Sequence, residues 1–168
     1  MDLGLKDKVI LVAASSKGLG LGIARQAAME GAHVVMGSRN LDILSEAAHS
    51  IHAEVADARL HTHKLDVADA DSINTWVQHT LAELGTVDAL VVNGGGPPAG
   101  TFDDIDESGW LAGFENTLMS AVRLIRAVLP EMRRKKSGSI LTVTSSSVKE
   151  PIDMMLLSNV YRSGVTSL

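Results

Sequence analysis

The chain has 168 residues, 45% hydrophobic and 21% charged, with a net charge of -5 and a pI near 5.6. That balance offers no electrostatic case for nucleic acid or an anionic membrane, and the absence of cysteine excludes disulfides and thiolate zinc sites. No apolar run reaches the ~20 residues of a bilayer-spanning helix, and the amino terminus does not read as a signal peptide, so a cytoplasmic protein is expected.

Short apolar runs alternate with helical patterns along the whole chain. KVILVAA (8–14) is β-rich and leads into a glycine-rich turn. GLGIARQAAMEGA (20–32) reads as a helix ending near Gly31, and HVVMGSR (33–39) as a second strand. Asn40 is a candidate N-cap for a helix over 40–54. ARLHTHKLDV (58–67) is a third strand, polar enough to belong near a sheet edge. A helix over 69–85 ends at Gly85, and VDALVVNGGGPP (87–98) is a fourth strand breaking into a glycine-proline loop. One long helix is expected within 102–136, with Pro130 near its end, then a fifth strand in 138–147 and a final helical pattern. Regular β/α alternation argues for a parallel sheet with helices on both faces. The length fits a single domain, 1–168. Because VYRSGVTSL stops within a helical pattern, the chain is expected to be the front part of a longer fold.

The loop VAASSKGLGLGIA (12–24) joins the first strand to the first helix. Gly18, Gly20 and Gly22 leave room for a ligand at the helix start. The first helical amides lack intrahelical partners and carry positive potential, which suits a pyrophosphate. Ser15 and Ser16 add hydroxyls and Lys17 a charge. The competing reading is a tight structural turn.

The end of the second strand selects between nucleotides. An NAD site would carry an acid there for the ribose 2′-OH. Here the stretch is MGSRN, with no acid before Asp42, and Ser38 and Arg39 stand where a 2′-phosphate would lie. An arginine fork suits phosphate, so NADP(H) is favoured over NAD(H). The alternative for Arg39 is a surface cation at the sheet edge.

With these residues in place, the chain resembles the short-chain dehydrogenase/reductase family, in its 3-oxoacyl-acyl-carrier-protein reductase-like branch. The resemblance covers essentially all 168 residues. It implies an α/β, doubly wound parallel sheet, a Rossmann fold of strand order 3-2-1-4-5 with the later strands absent. The family's Thr-Gly-x-x-x-Gly-x-Gly loop falls on residues 13–20, with Ala14 at the first glycine and Gly18, Leu19 and Gly20 at the end. Asp66, with Val67 beside it, matches the acid that contacts the adenine. Asn93, Gly94 and Gly95 match the Asn-Ala-Gly part of the motif after the fourth strand, and Asn116 matches the helix asparagine that supports a bound water in a proton relay.

Ser145 matches the serine that orients the carbonyl, although capping of a strand end is a strong competing role for it. The family places tyrosine thirteen residues further on and lysine four after that. Those positions hold Ser158 and Arg162. A serine hydroxyl is far less acidic than a phenol, and an arginine stays protonated. Tyr161 is three residues late, about 300° around the helix and ~4.5 Å along it, which favours packing over acid catalysis.

The resemblance implies an NADP(H)-dependent oxidoreductase that transfers hydride between a carbonyl and an alcohol. The second reading is a catalytically impaired nucleotide-binding relative acting as a sensor or oligomer partner. A flavodoxin-like module fits poorly with Lys17, Arg39, Asp66 and Asn93 together. The expected partners are a small carbonyl or alcohol substrate and copies of the chain, as a homodimer or homotetramer built on the helices at 106–134 and from Ser158. The histidines at 33, 49, 52, 61, 63 and 79 read as surface or edge residues without an acid to complete a metal site. The basic run RRKK (133–136) is expected to follow a helix and complement its C-terminus.

Overall fold

The structure, a computed structural model, describes residues 3–168. In chain order the elements are β1 (Val9–Val12), α1 (Gly18–Met29), β2 (His33–Ser38), α2 (Leu41–Glu54), β3 (Arg59–Lys64) and α3 (Ala70–Leu84). They continue with β4 (Ala89–Val92), α4 (Glu107–Gly113), α5 (Ser120–Lys135), β5 (Ser139–Thr142) and α6 (Leu156–Thr166). The five strands form one sheet in the order β3-β2-β1-β4-β5. Every pairing is parallel. This is the expected doubly wound order, and it places the carboxyl ends of β1 and β4 side by side at the switch point, where ligands of open α/β sheets bind.

Alternation along β1 divides the core. Val9 and Leu11 face a cluster containing Trp76, Val77, Leu90, Leu124 and Val128. Ile10 and Val12 face the other, with Ala24, Ala28, Leu44, Ala48 and Ile51. All four β1 residues are buried, which is why the run lacks a polar alternate. Each fully buried side chain of this size contributes about 1.5–3 kcal/mol. The alanines of α1 let that helix lie close on the sheet. β3 is the polar edge strand expected from its sequence. At the opposite edge, Ile140 and Leu141 of β5 are exposed.

The helix ends follow their capping residues. Asn40 Oδ1 accepts from the Ile43 amide at 3.0 Å, and Gly85 closes α3 with φ 73°. Other elements differ from expectation. The long helix is interrupted: Phe114–Met119 forms a π-helical segment between α4 and α5. β5 stops at Thr142, and a 3₁₀ turn covers Ser146–Val148. The last helix starts at Leu156 rather than Ser158. Arg133, Arg134 and Lys135 of the basic run lie inside the last turn of α5, and only Lys136 follows it, as the C-cap at φ 55°. There Lys135 Nζ meets Asp88 Oδ1 at 2.5 Å, and Arg134 pairs with Glu131 at 2.7 Å.

Candidate active site

The turn after β1 is built to stay open. Ala14 sits at φ 49°, a left-handed conformation where the family pattern has glycine. Asn93, just past β4, donates from Nδ2 to the carbonyls of Ala13 and Ala14, both at 3.2 Å. A Cβ on Gly20 would run into the Ala14 carbonyl oxygen and lie 2.7 Å from Asn93 Nδ2. Only glycine fits there. The start of α1 has no side-chain cap and no acid in its first turn, so its positive end faces the cleft uncompensated.

That cleft has a volume of about 530 Å³, within the usual range for small-molecule sites. Ser16, Lys17, Gly18 and Leu19 form one side; Ser38 and Arg39 close the end beyond β2. Asp66 and Val67 form the next wall. Asn93, Gly94, Gly95 and Asn116 line the far end. Ser38 Oγ donates to Ser16 Oγ at 3.0 Å, joining the end of β2 to the turn after β1. Among the described residues neither Lys17 nor Arg39 has an ion-pair partner. Two expected residues lie behind the wall. Ser15 is fully buried, its hydroxyl accepting from the Gly37 amide at 3.0 Å, and Gly20 backs onto Asn93.

Two of the remaining candidates, Asn116 and Arg162, meet at the opposite end. Arg162 lines a second cavity of about 20 Å³ with Asn93, Asn116, Thr117 and Val143, room for one water molecule. The Thr117 hydroxyl there is buried without a protein partner. Arg162 Nη1 donates to the Val143 carbonyl at 2.8 Å, and burial pulls the guanidinium pKa below its ordinary value. Asn116 spends its amide N–H on the Ala112 carbonyl at 2.8 Å.

The two serines lie outside both cavities. Ser145 caps the 3₁₀ turn, accepting from the Ser147 amide at 3.1 Å. Ser158 is buried, its hydroxyl 3.4 Å from that of Ser147. Neither lines the large cleft. Tyr161 points away from both: its hydroxyl donates to the Trp110 carbonyl at 2.9 Å, and its ring packs among Trp110 and Phe114. Burial raises its pKa above the usual phenol range, the opposite of what a general acid near neutrality needs.

The sequence profile of the family described as "short chain dehydrogenase" matches residues 8–161. The chain belongs to the short-chain dehydrogenase/reductase family. Its relatives include the uncharacterized oxidoreductase YvrD of Bacillus subtilis (strain 168), 30% identical over 168 residues, covering 100% of this chain and 62% of that protein. Dehydrogenase/reductase SDR family member 4 of Sus scrofa is 32% identical, covering 98% of this chain and 58% of the relative. Among solved structures, L-sorbose reductase from Gluconobacter frateurii, complexed with NADPH and L-sorbose, superposes with a TM-score of 0.93 at 32% identity. That match covers 99% of this chain and 63% of the reductase. The chain thus spans about three fifths of the length of these relatives.

Three features of this short-chain dehydrogenase/reductase site were not read from the sequence. Ser147, not Ser145, is the serine that touches Ser158. Gly113 lets the Tyr161 ring approach within 2.9 Å of where a Cβ would stand, and a glycine inside a helical pattern was a usable signal for it. Glu83 lies 3.5 Å from His61 and 3.6 Å from His63, so an acid does stand beside these histidines. The described residues nevertheless contain no group of three or more side chains able to hold a metal ion. Nor do they include a helix long and apolar enough to cross a membrane.

Proposed function

We propose that this chain binds NADP(H) and belongs to an oxidoreductase that interconverts a carbonyl and an alcohol. The observation that carries the reading is one continuous cleft. It has a glycine cradle at the start of α1, one cation in the turn after β1 and another just past β2, and Asn116 at its far end, where a small second cavity lined by Arg162 adjoins it.

The residues fit the cofactor by chemistry as well as shape. The α1 amides and Ser16 would hold the pyrophosphate. Arg39, Ser38 and Lys17 would hold a 2′-phosphate; the end of β2 offers no carboxylate for a free 2′-hydroxyl. Asp66 and Val67 would border the adenine, and Asn93, Gly94 and Gly95 the nicotinamide half. When bound, NADPH supplies the hydride. Arg162 would hold the ribose and lend its positive charge to the developing alkoxide. Ser145 and Ser158 can donate hydrogen bonds but not supply a proton as a phenol does, and Asn116 borders the water-sized cavity through which solvent protons can arrive.

The substrate proposed is a small ketone, with 3-oxoacyl thioesters as one class. NADPH oxidation by the full protein should be followed with ketoses, 3-oxoacyl thioesters and simple diketones. Turnover with one class is expected, with kcat at saturating NADPH lowered at least about tenfold in Arg162→Ala beyond any weakening of NADPH binding. NADPH binding without turnover of any class would support a sensor or oligomer partner and contradict the enzyme reading.

A further inference from the structure

The two walls of the cleft come from different parts of the chain. Asp66 and Val67 follow β3, while Asn116 lies in the π-helical segment ahead of α5. One side chain joins them. Arg123 is largely buried, with 22% of its side chain exposed. Its Nη1 donates to the Ala68 carbonyl at 2.9 Å and lies 2.6 Å from Glu115 Oε2.

Both partners sit next to cleft residues. The Ala68 amide donates to Asp66 Oδ1 at 3.0 Å, and the Asp66 amide donates to Ser72 Oγ at 2.9 Å. Glu115 directly precedes Asn116. A polar path therefore runs from Asp66 through Ala68, Arg123 and Glu115 to Asn116. Among the described residues no other hydrogen bond or ion pair links residues 65–69 to 114–119.

The far end of this path is the π-helical segment Phe114–Met119. A π-helical turn, with its i→i+5 hydrogen bonds, is a rare departure from the α-helix, and such turns recur at functional sites. Glu115 and Asn116 lie inside it, so a restraint on Glu115 bears on where Asn116 points. An ion pair kept only for stability at the surface is worth little. Here the pair is largely buried on the arginine side, and the same nitrogen holds a loop carbonyl.

Resting on the cofactor reading above, we propose that Arg123 is a positioning residue. It transmits binding at the Asp66 wall to Asn116, so that seating the adenine end of the cofactor orders the segment that carries Asn116. By linkage, ordering at Asn116 tightens binding at the Asp66 wall by the same factor.

The test uses adenosine 2′,5′-bisphosphate, which carries adenine and a 2′-phosphate but no nicotinamide, with amide hydrogen exchange on the full protein. The ligand is expected to slow exchange at 66–69 and, across the cleft, at 114–119 by about fivefold or more. In Arg123→Met and Glu115→Gln, protection at 66–69 should persist while that at 114–119 is lost. Arg123→Lys, which keeps a donor, should restore part of it. A purely structural role would not separate the two walls in this way. If Arg123→Met does not fold, Glu115→Gln alone carries the test. Protection confined to 66–69 in the parent protein, or unchanged at 114–119 in the variants, would overturn the proposal and leave the cofactor reading standing. No binding of the bisphosphate to the parent protein would overturn both.

Discussion

Arg162 donates from Nη1 to the carbonyl of Val143 at 2.8 Å, which fastens α6 to the end of β5. A family lysine at this position would offer a single ammonium. The guanidinium has five N–H donors in a planar fork, so it can hold Val143 and still present N–H groups to the small cavity beside Asn116. Arg162→Ala removes the donor from a partly buried carbonyl, a loss of about 1–3 kcal/mol. Urea unfolding should show it as a lower midpoint. An unchanged midpoint would mean that the Val143 contact contributes nothing.

Tyr161 separates packing from acid catalysis. Its hydroxyl is spent on Trp110, and its ring fills the space above Gly113. Tyr161→Phe should cost about 0.5–1.5 kcal/mol, the value of one hydrogen bond, and leave kcat within about twofold. Loss of a general acid would instead lower kcat by about 10²–10⁴-fold. A fall of that size would make Tyr161 the proton donor after all.

Ala14 holds a left-handed backbone at φ 49°, which costs an L-residue about 1–2 kcal/mol. Ala14→Gly relieves that strain, offset by about 0.4–1 kcal/mol of added freedom in the unfolded chain. The net expectation is a gain of about 0.5–1 kcal/mol, read from thermal or urea unfolding. Destabilisation would show that the Ala14 methyl packs usefully in the cleft wall.

Four imidazoles run along the β3 edge. The rings of His33 and His61 stack at 6.0 Å, and those of His63 and His79 lie 5.8 Å apart. Burial lowers the pKa of His33, and Arg59 and His61 push the same way against Asp7. Burial also lowers that of His63, with His79 and His61 adding to it and Glu83 opposing. Arg59 donates to His33 Nε2, which leaves the proton of the neutral ring on Nδ1, a buried atom without a partner. Folded values below the unfolded value of about 6.5 mean that the unfolded chain takes up protons first. Stability from these rings is complete above about pH 6.5 and is lost as pH falls through 6.5 toward the folded values. The urea midpoint should therefore drop between pH 7.5 and 5.5, and drop less in His63→Gln. Equal slopes in the two proteins would rule His63 out as a source.

Sequence carried most of this architecture because it rests on local rules. Asn40 and Gly85 mark helix ends by their own chemistry, and the VILV run of β1 reads as a strand buried on both faces. The cleft was legible for the same reason: Gly18, Ser38, Arg39, Asp66 and Asn93 follow the carboxyl ends of strands, and parallel order brings those ends together. What stayed hidden depends on contacts between distant segments. Nothing local to FENTLM calls for a π-helical segment; it lies where this segment and α4 pack against α6. Glu83 reaches His61 and His63 only because α3 lies across β3. The meeting of Ser147 with Ser158 depends on the 3₁₀ turn after β5, where a longer strand was expected.

The central claim is that the cleft between β1 and β4 receives NADP(H) and that Arg39 recognises its 2′-phosphate. Calorimetric titration of the full protein with NADPH and NADH, repeated with Arg39→Ala, tests it most directly. The account predicts tighter binding of NADPH than of NADH, with the preference reduced at least about tenfold in Arg39→Ala, as loss of a charged hydrogen bond implies. Equal affinity for the two nucleotides, or no binding of either, would contradict it.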